Sequence, residues 1–166
     1  RFSPGNPSYH PVVTAVTDTD TVSLIPGLPH GSLLRCTDCH NNDQGRQIGG
    51  AGPDGPHGSN FDFLLQRNYT VLDNTAESES AYALCYACHR RSSILADESF
   101  PLHNKHIVEE RAPCSACHDP HGVSRTQGGS SDHTHLINFD TRIVRPDPQS
   151  QRLEFVDLGH YSGKCT

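Results

Sequence analysis

The feature that most limits what this 166-residue chain can become is a five-residue pattern written three times. Cys36-Thr-Asp-Cys39-His40, Cys85-Tyr-Ala-Cys88-His89 and Cys114-Ser-Ala-Cys117-His118 each carry two thiols separated by two residues, with a histidine directly after. That spacing lets one turn of backbone present both sulfurs to a single planar group, with the adjoining imidazole beneath its centre. It is the attachment signature of c-type haem. A lone C-x-x-C could equally be a redox dithiol or half a zinc site. Three copies, using six of seven cysteines, leave an odd half-site for zinc and a histidine after every second cysteine that zinc does not explain. The expected cofactors are three haem c groups, bound through Cys36, Cys39, Cys85, Cys88, Cys114 and Cys117, with His40, His89 and His118 as proximal iron ligands.

Composition agrees with an interior that is not made of side chains. Hydrophobic residues are 33% of the chain and aromatics 7%, with no Trp or Met, against 14 Gly, 12 Pro and 12 His. An ordinary domain draws about 45–50% of its residues from the apolar set, Gly included. Such a chain is either disordered or folded around something else, and the cysteine pattern favours the second. The expected fold is loop-rich and mostly irregular, with few short helices and minor β structure, organised around haem as a multihaem cytochrome c. The haem-free chain is expected to be unfolded, as metal-dependent small domains are. One domain is expected over residues 1–166: an extended arm over 1–30, a haem-binding core over 31–122 and an extended segment over 123–166.

Within this frame, residues 12–22 suggest a short strand, and residues 41–60 are Gly/Asn/Asp/Pro-rich, with GGAGPDGPHGS turn chemistry throughout. Residues 61–72 carry the main apolar cluster. Residues 77–96 read as one helix bearing the second motif, and 103–112 as a short helix stopped by Pro113. Two further strands are expected in THLINFDTRIV and RLEFVDLGHYS. The second and third motifs, close in sequence, are expected to lie close in space.

Nine histidines remain for the far side of three irons, and the absence of Met excludes His/Met ligation. His57, His106 and His10 are the leading distal candidates. His57 lies between glycines in GPHGS, His106 ends HNKH ahead of the third motif, and Pro11 fixes the chain beside His10. His103, His135, His121 and His30 are secondary candidates, and His121 is too near His118 to reach the far face of the same haem. His133 and His160 are expected to be exposed or to act behind a ligand. The pairing of ligand with haem stays open.

The runs CSACHDPHG, GPHGS, LCYACH and HNKH resemble the doubled C-x-x-C-H family of multihaem cytochromes over roughly residues 30–140. The resemblance implies closely packed bis-histidine haems acting as a wire, with His57, His106 and His135 as distal ligands. It also implies periplasmic carriers, modules of larger surface cytochromes or subunits of extracellular filaments. Haem is attached after export in such systems, so the chain is expected in the periplasm or outside the cell, with Arg1 read as a processed start. Expected partners are redox proteins or extracellular electron acceptors. A net charge of -6 argues against nucleic acid, and no apolar run reaches the ~20 residues of a membrane span.

The leading functional reading is electron transfer without substrate chemistry. The alternatives are a reductase of nitrite or hydroxylamine type, which needs one open iron, a structural role for the haems, and a proteolytic fragment of a larger cytochrome. GHYSGKCT departs from the pattern, because Cys165 opens what looks like another site. It is read either as an intersubunit link, including within a homopolymer, or as a truncated end.

Overall fold

Local hydrogen bonding within each motif decides the secondary structure around it. The computed structural model describes residues 1–15, 22–28, 31–127 and 131–166. In every motif the backbone N–H of the histidine donates to the carbonyl of the first cysteine, at 2.8 Å for His40, 2.8 Å for His89 and 2.9 Å for His118. The first and third motifs are thereby wound into 3₁₀ turns, Cys36–Asp38 and Cys114–Ala116. The second is part of a short helix α1, Ala83–Tyr86, followed by α2, Arg91–Leu95. Further 3₁₀ turns lie at Arg46–Ile48, Asp62–Leu64 and Thr134–Leu136, and a π-type turn at Lys105–Glu109. The only paired strands among the described residues are β1, Phe155–Gly159, and β2, Ser162–Cys165, an antiparallel hairpin that opposes Phe155 to Cys165. The remainder is irregular, as expected for a loop-rich cytochrome.

Several expectations need correction. Residues 77–96 do not form one helix, because His89 leaves helical geometry to pair with Leu24 in an isolated antiparallel bridge. Arg90 N–H then donates to Ser23 O (2.7 Å), and Ile25 N–H to Cys88 O (2.9 Å). Tertiary pairing thus overrides the helix propensity of the Ala- and Leu-rich stretch. The strand expected over 12–22 is not seen at 12–15, and residues 16–21 lie outside the described residues. THLINFDTRIV forms a turn and a single bridge rather than a strand. The apolar run 61–72 is not a protein core: Leu65 is buried, but Phe63 is 60% and Leu72 72% exposed.

What core the polypeptide makes for itself is small. Ala81, Tyr82 and Ile107 pack with Tyr86, Ile94, Leu95 and Cys114, with Tyr82 meeting Tyr86 edge-on. Glu77 pins the two helices. It accepts from Tyr86 Oη (2.9 Å), Arg91 Nε (2.9 Å) and Arg91 Nη2 (2.5 Å), while the guanidinium also lies over the Tyr86 ring. These donors hold the Glu77 carboxyl below its ordinary value, Arg91 foremost. At the other end, residues 1–10 fold back on the segment after the third motif. Ser8 bridges Val123, and the Ser8 hydroxyl donates to His133 O (2.6 Å) and accepts from Leu136 N–H (2.9 Å).

A carboxylate stabilised in the folded state contributes stability that is full above its unfolded pKa and is lost as pH falls through the lowered folded value. Glu77→Gln should therefore cost about 1–2 kcal/mol at neutral pH, the scale of a partly exposed charge-assisted network. Thermal melts of both proteins across pH should show this gap closing as pH drops below about 4.

Candidate haem-binding site

Each motif histidine is held by a second segment of chain. His40 pairs with Leu65 and His118 with Ile137 in antiparallel bridges like that of His89 with Leu24. Gln66 N–H donates to Cys39 O (2.9 Å), and Asn138 N–H to Cys117 O (2.8 Å). Two residues before the bridge partners of His40 and His118, a carbonyl turns onto the imidazole. His40 Nδ1 lies 2.8 Å from Phe63 O, and His118 Nδ1 lies 2.8 Å from His135 O. In both cases the chain gets there through two successive left-handed residues, Phe63 and Leu64 at φ 63° and 55°, His135 and Leu136 at 51° and 63°. Left-handed backbone costs roughly 1–2 kcal/mol per non-glycine residue. The bridge and the imidazole hydrogen bond offset that cost. With Nδ1–H donating to a carbonyl, Nε2 keeps its lone pair for a metal, the arrangement that orients histidine ligands generally.

FDFLLQ (61–66) and HTHLIN (133–138) are thus two copies of one holding element. Sequence reasoning did not identify them, although a Leu-[Leu/Ile]-[Gln/Asn] ending is shared.

Across from each motif imidazole stands another. His40 faces His121 with ring centres 6.0 Å apart and planes 2° from parallel. His89 faces His10 at 6.4 Å, and His118 faces His103 at 6.3 Å. A ligating imidazole nitrogen lies about 2 Å from its metal, and the ring centre about 1 Å beyond, so two rings on opposite sides of one ion have centres about 6 Å apart. All three separations match that figure.

No cage of three or more His, Cys, Asp or Glu side chains occurs among the described residues, so each site offers a pair of imidazole donors and no more. An iron already ringed by four porphyrin nitrogens needs that pair and no more, and the residues present therefore fit haem. His10 Nδ1 is tied to Pro120 O at 2.6 Å, which again leaves Nε2 free. Nδ1 of His103 is buried without a hydrogen-bond partner, and burial pushes its pKa down to about 4, so this ring is neutral and competent as a ligand.

The other candidates are placed differently. His57 is exposed in its glycine-rich loop, where its N–H donates to Gly55 O (2.8 Å). His106 lies in the π-type turn, with burial lowering its pKa. Neither ring pairs with a motif imidazole among the described residues. The His135 ring is hydrogen-bonded to Asp157 at 3.1 Å, and this residue serves His118 through its carbonyl instead. His133 is buried, not exposed, with Nδ1 3.1 Å from Ile137 O. His160 is exposed at φ 50° in the hairpin turn, and His30 lies outside the described residues.

The cysteines draw the three motifs together. No disulfide joins any of the seven. Cys85 and Cys114 are electrostatically coupled neighbours, which raises the pKa of Cys114 and lowers that of Cys85. Burial, with Cys88 as the strongest charged neighbour, lifts Cys39 to about 11. Burial lifts Cys117 to about 12, with Cys165 adding to the effect. Cysteines of the second motif thus lie within electrostatic reach of both others, Cys85 of Cys114 and Cys88 of Cys39. No helix among the described residues is long and apolar enough to cross a membrane.

No curated protein and no solved structure matches the chain. The family model described as the doubled CXXCH motif matches residues 30–93, which span the first two motifs. Beside the third motif and the facing imidazoles, that match supports reading the chain as similar to multihaem c-type cytochromes of the doubled CXXCH kind.

Proposed function

We propose that the chain carries three bis-histidine haems c and relays electrons among them, with His121, His10 and His103 as distal ligands opposite His40, His89 and His118. The observation that carries this reading is the set of three facing imidazole pairs, each at the separation two axial ligands of one iron require. Haem iron, when bound, supplies a one-electron ferric/ferrous couple. The protein's part is to fill both axial positions and hold the rings still, through Phe63 O on His40, His135 O on His118 and Pro120 O on His10. Two imidazoles per iron leave no position for an oxyanion substrate, which favours electron transfer over a reductase. With no methionine in the chain, the thioether ligand that raises haem potentials is absent, which supports low potentials.

The electrostatic coupling of Cys85 with Cys114, and of Cys88 with Cys39, supports a relay with the second site in the middle. Because haem c is attached after export in such systems, the mature protein belongs outside the cytoplasmic membrane. Its partners are redox proteins or extracellular acceptors.

Single replacements test the pairing. In the mature holoprotein, His10→Ala, His103→Ala and His121→Ala should each convert one haem to a high-spin form that binds carbon monoxide when reduced. His57→Ala and His106→Ala should leave the spectrum uniformly low-spin. A high-spin site opened by either of the latter would contradict the pairing.

The wild-type holoprotein should bind no carbon monoxide at any site. Stoichiometric uptake would instead support an open iron and a reductase.

A further inference from the structure

His10 and His121 are far apart in sequence, yet one knot of backbone holds both. Val123 N–H donates to Ser8 O at 3.0 Å. Arg1 Nη1 donates to Asp119 Oδ2 at 2.7 Å and to Gly122 O at 3.4 Å. Asp119 Oδ1 accepts from the backbone N–H of His121 (3.0 Å), and the Phe2 ring meets the His121 ring edge-on at 5.6 Å. Pro120 O holds the His10 ring from the same short loop. Residues 1–10 and 119–123 thus form one clasp that sends a distal imidazole to each of two motifs.

At its centre is Gly122, which is buried. Its φ is +101°, a conformation that residues with a side chain rarely adopt. A Cβ at this position would stand 2.8 Å from Arg1 O, 2.9 Å from Ser8 O and 2.9 Å from Tyr9 Cβ. Two of those three atoms are backbone, so no rotamer change relieves the clash. Only glycine lets the arm lie this close.

We propose that Gly122 is a positioning residue for two iron sites at once. By admitting the N-terminal arm, it sets His10 opposite His89 and His121 opposite His40. The proposal rests on the ligand pairing given above. The distal member of the third pair, His103, lies outside the clasp, which reaches that site only through Ser8 on the segment holding His118. His103 is carried into place by its neighbour Asn104, whose N–H donates to Asp97 Oδ1 (2.7 Å) and whose amide donates to Leu95 O (2.9 Å).

The test is Gly122→Ala in the mature holoprotein, with haem count by intact mass, ferric spin state by electron paramagnetic resonance and carbon monoxide uptake after reduction. The expected result is full haem attachment with two sites opened. The high-spin signal should equal the sum of those of His10→Ala and His121→Ala and be twofold that of His103→Ala. A spectrum that stays low-spin, or one in which a single site or the His103 site opens, overturns the proposal.

If Gly122→Ala does not mature, Asp119→Ala opens the same clasp by removing the Arg1 ion pair and the acceptor for the His121 N–H. It should raise carbon monoxide uptake at the same two sites, and wild-type behaviour would count against the clasp. The pairing itself is at fault only if His10→Ala and His121→Ala open no site. If each opens one while the clasp variants open none, the pairing stands and the role of Gly122 falls.

Discussion

The hydrogen bond from a motif imidazole to a backbone carbonyl is the constraint on which much of this structure depends. A C-x-x-C-H turn places its histidine near a haem but does not fix the ring. Here the ring is fixed by a separate extended segment that bridges the histidine's backbone and turns a carbonyl onto Nδ1, at Phe63 for His40 and at His135 for His118. The cost is two consecutive left-handed residues in each segment. That cost is local and bounded, whereas a freely rotating imidazole would leave the iron without a defined ligand field.

From that arrangement follows a division of labour between chain and cofactor. The polypeptide buries few apolar side chains, grouped around Tyr82 and Ile107, and leaves Phe63 and Leu72 largely uncovered by its own atoms. Such an economy suits a protein whose remaining interior is porphyrin. It also explains how so much of the chain can be loop. Loops such as 61–66 and 133–138 are held at a motif histidine rather than by packing against a neighbouring element, an arrangement that would couple folding to cofactor attachment.

The three motifs stand out in the sequence because thioether chemistry demands contiguous spacing. The loop-rich character was legible too, from the Gly, Pro and His content. The imidazoles that face the motifs were less so. His57 and His106 were favoured on local context, yet the imidazoles that face the motifs include His121, which comes from beyond the third motif to face the first, and His103. Pairs assembled from distant segments leave no local trace, and only His10 stood among the leading choices. The continuous helix expected over 77–96 failed for a related reason: the backbone of His89 is claimed by Leu24, far upstream, and helix propensity carries no information about that competitor. The repeated FDFLLQ and HTHLIN elements did leave a trace, but a faint one, because what they share is a backbone path more than a set of side chains.

The most direct test of the account is the intact mass of the exported, mature protein together with its iron content. The account requires a mass gain of three haem groups held without exchange under denaturing conditions, with one iron for each. An unmodified chain, or one that folds to the same structure with zinc in place of iron porphyrin, would contradict it.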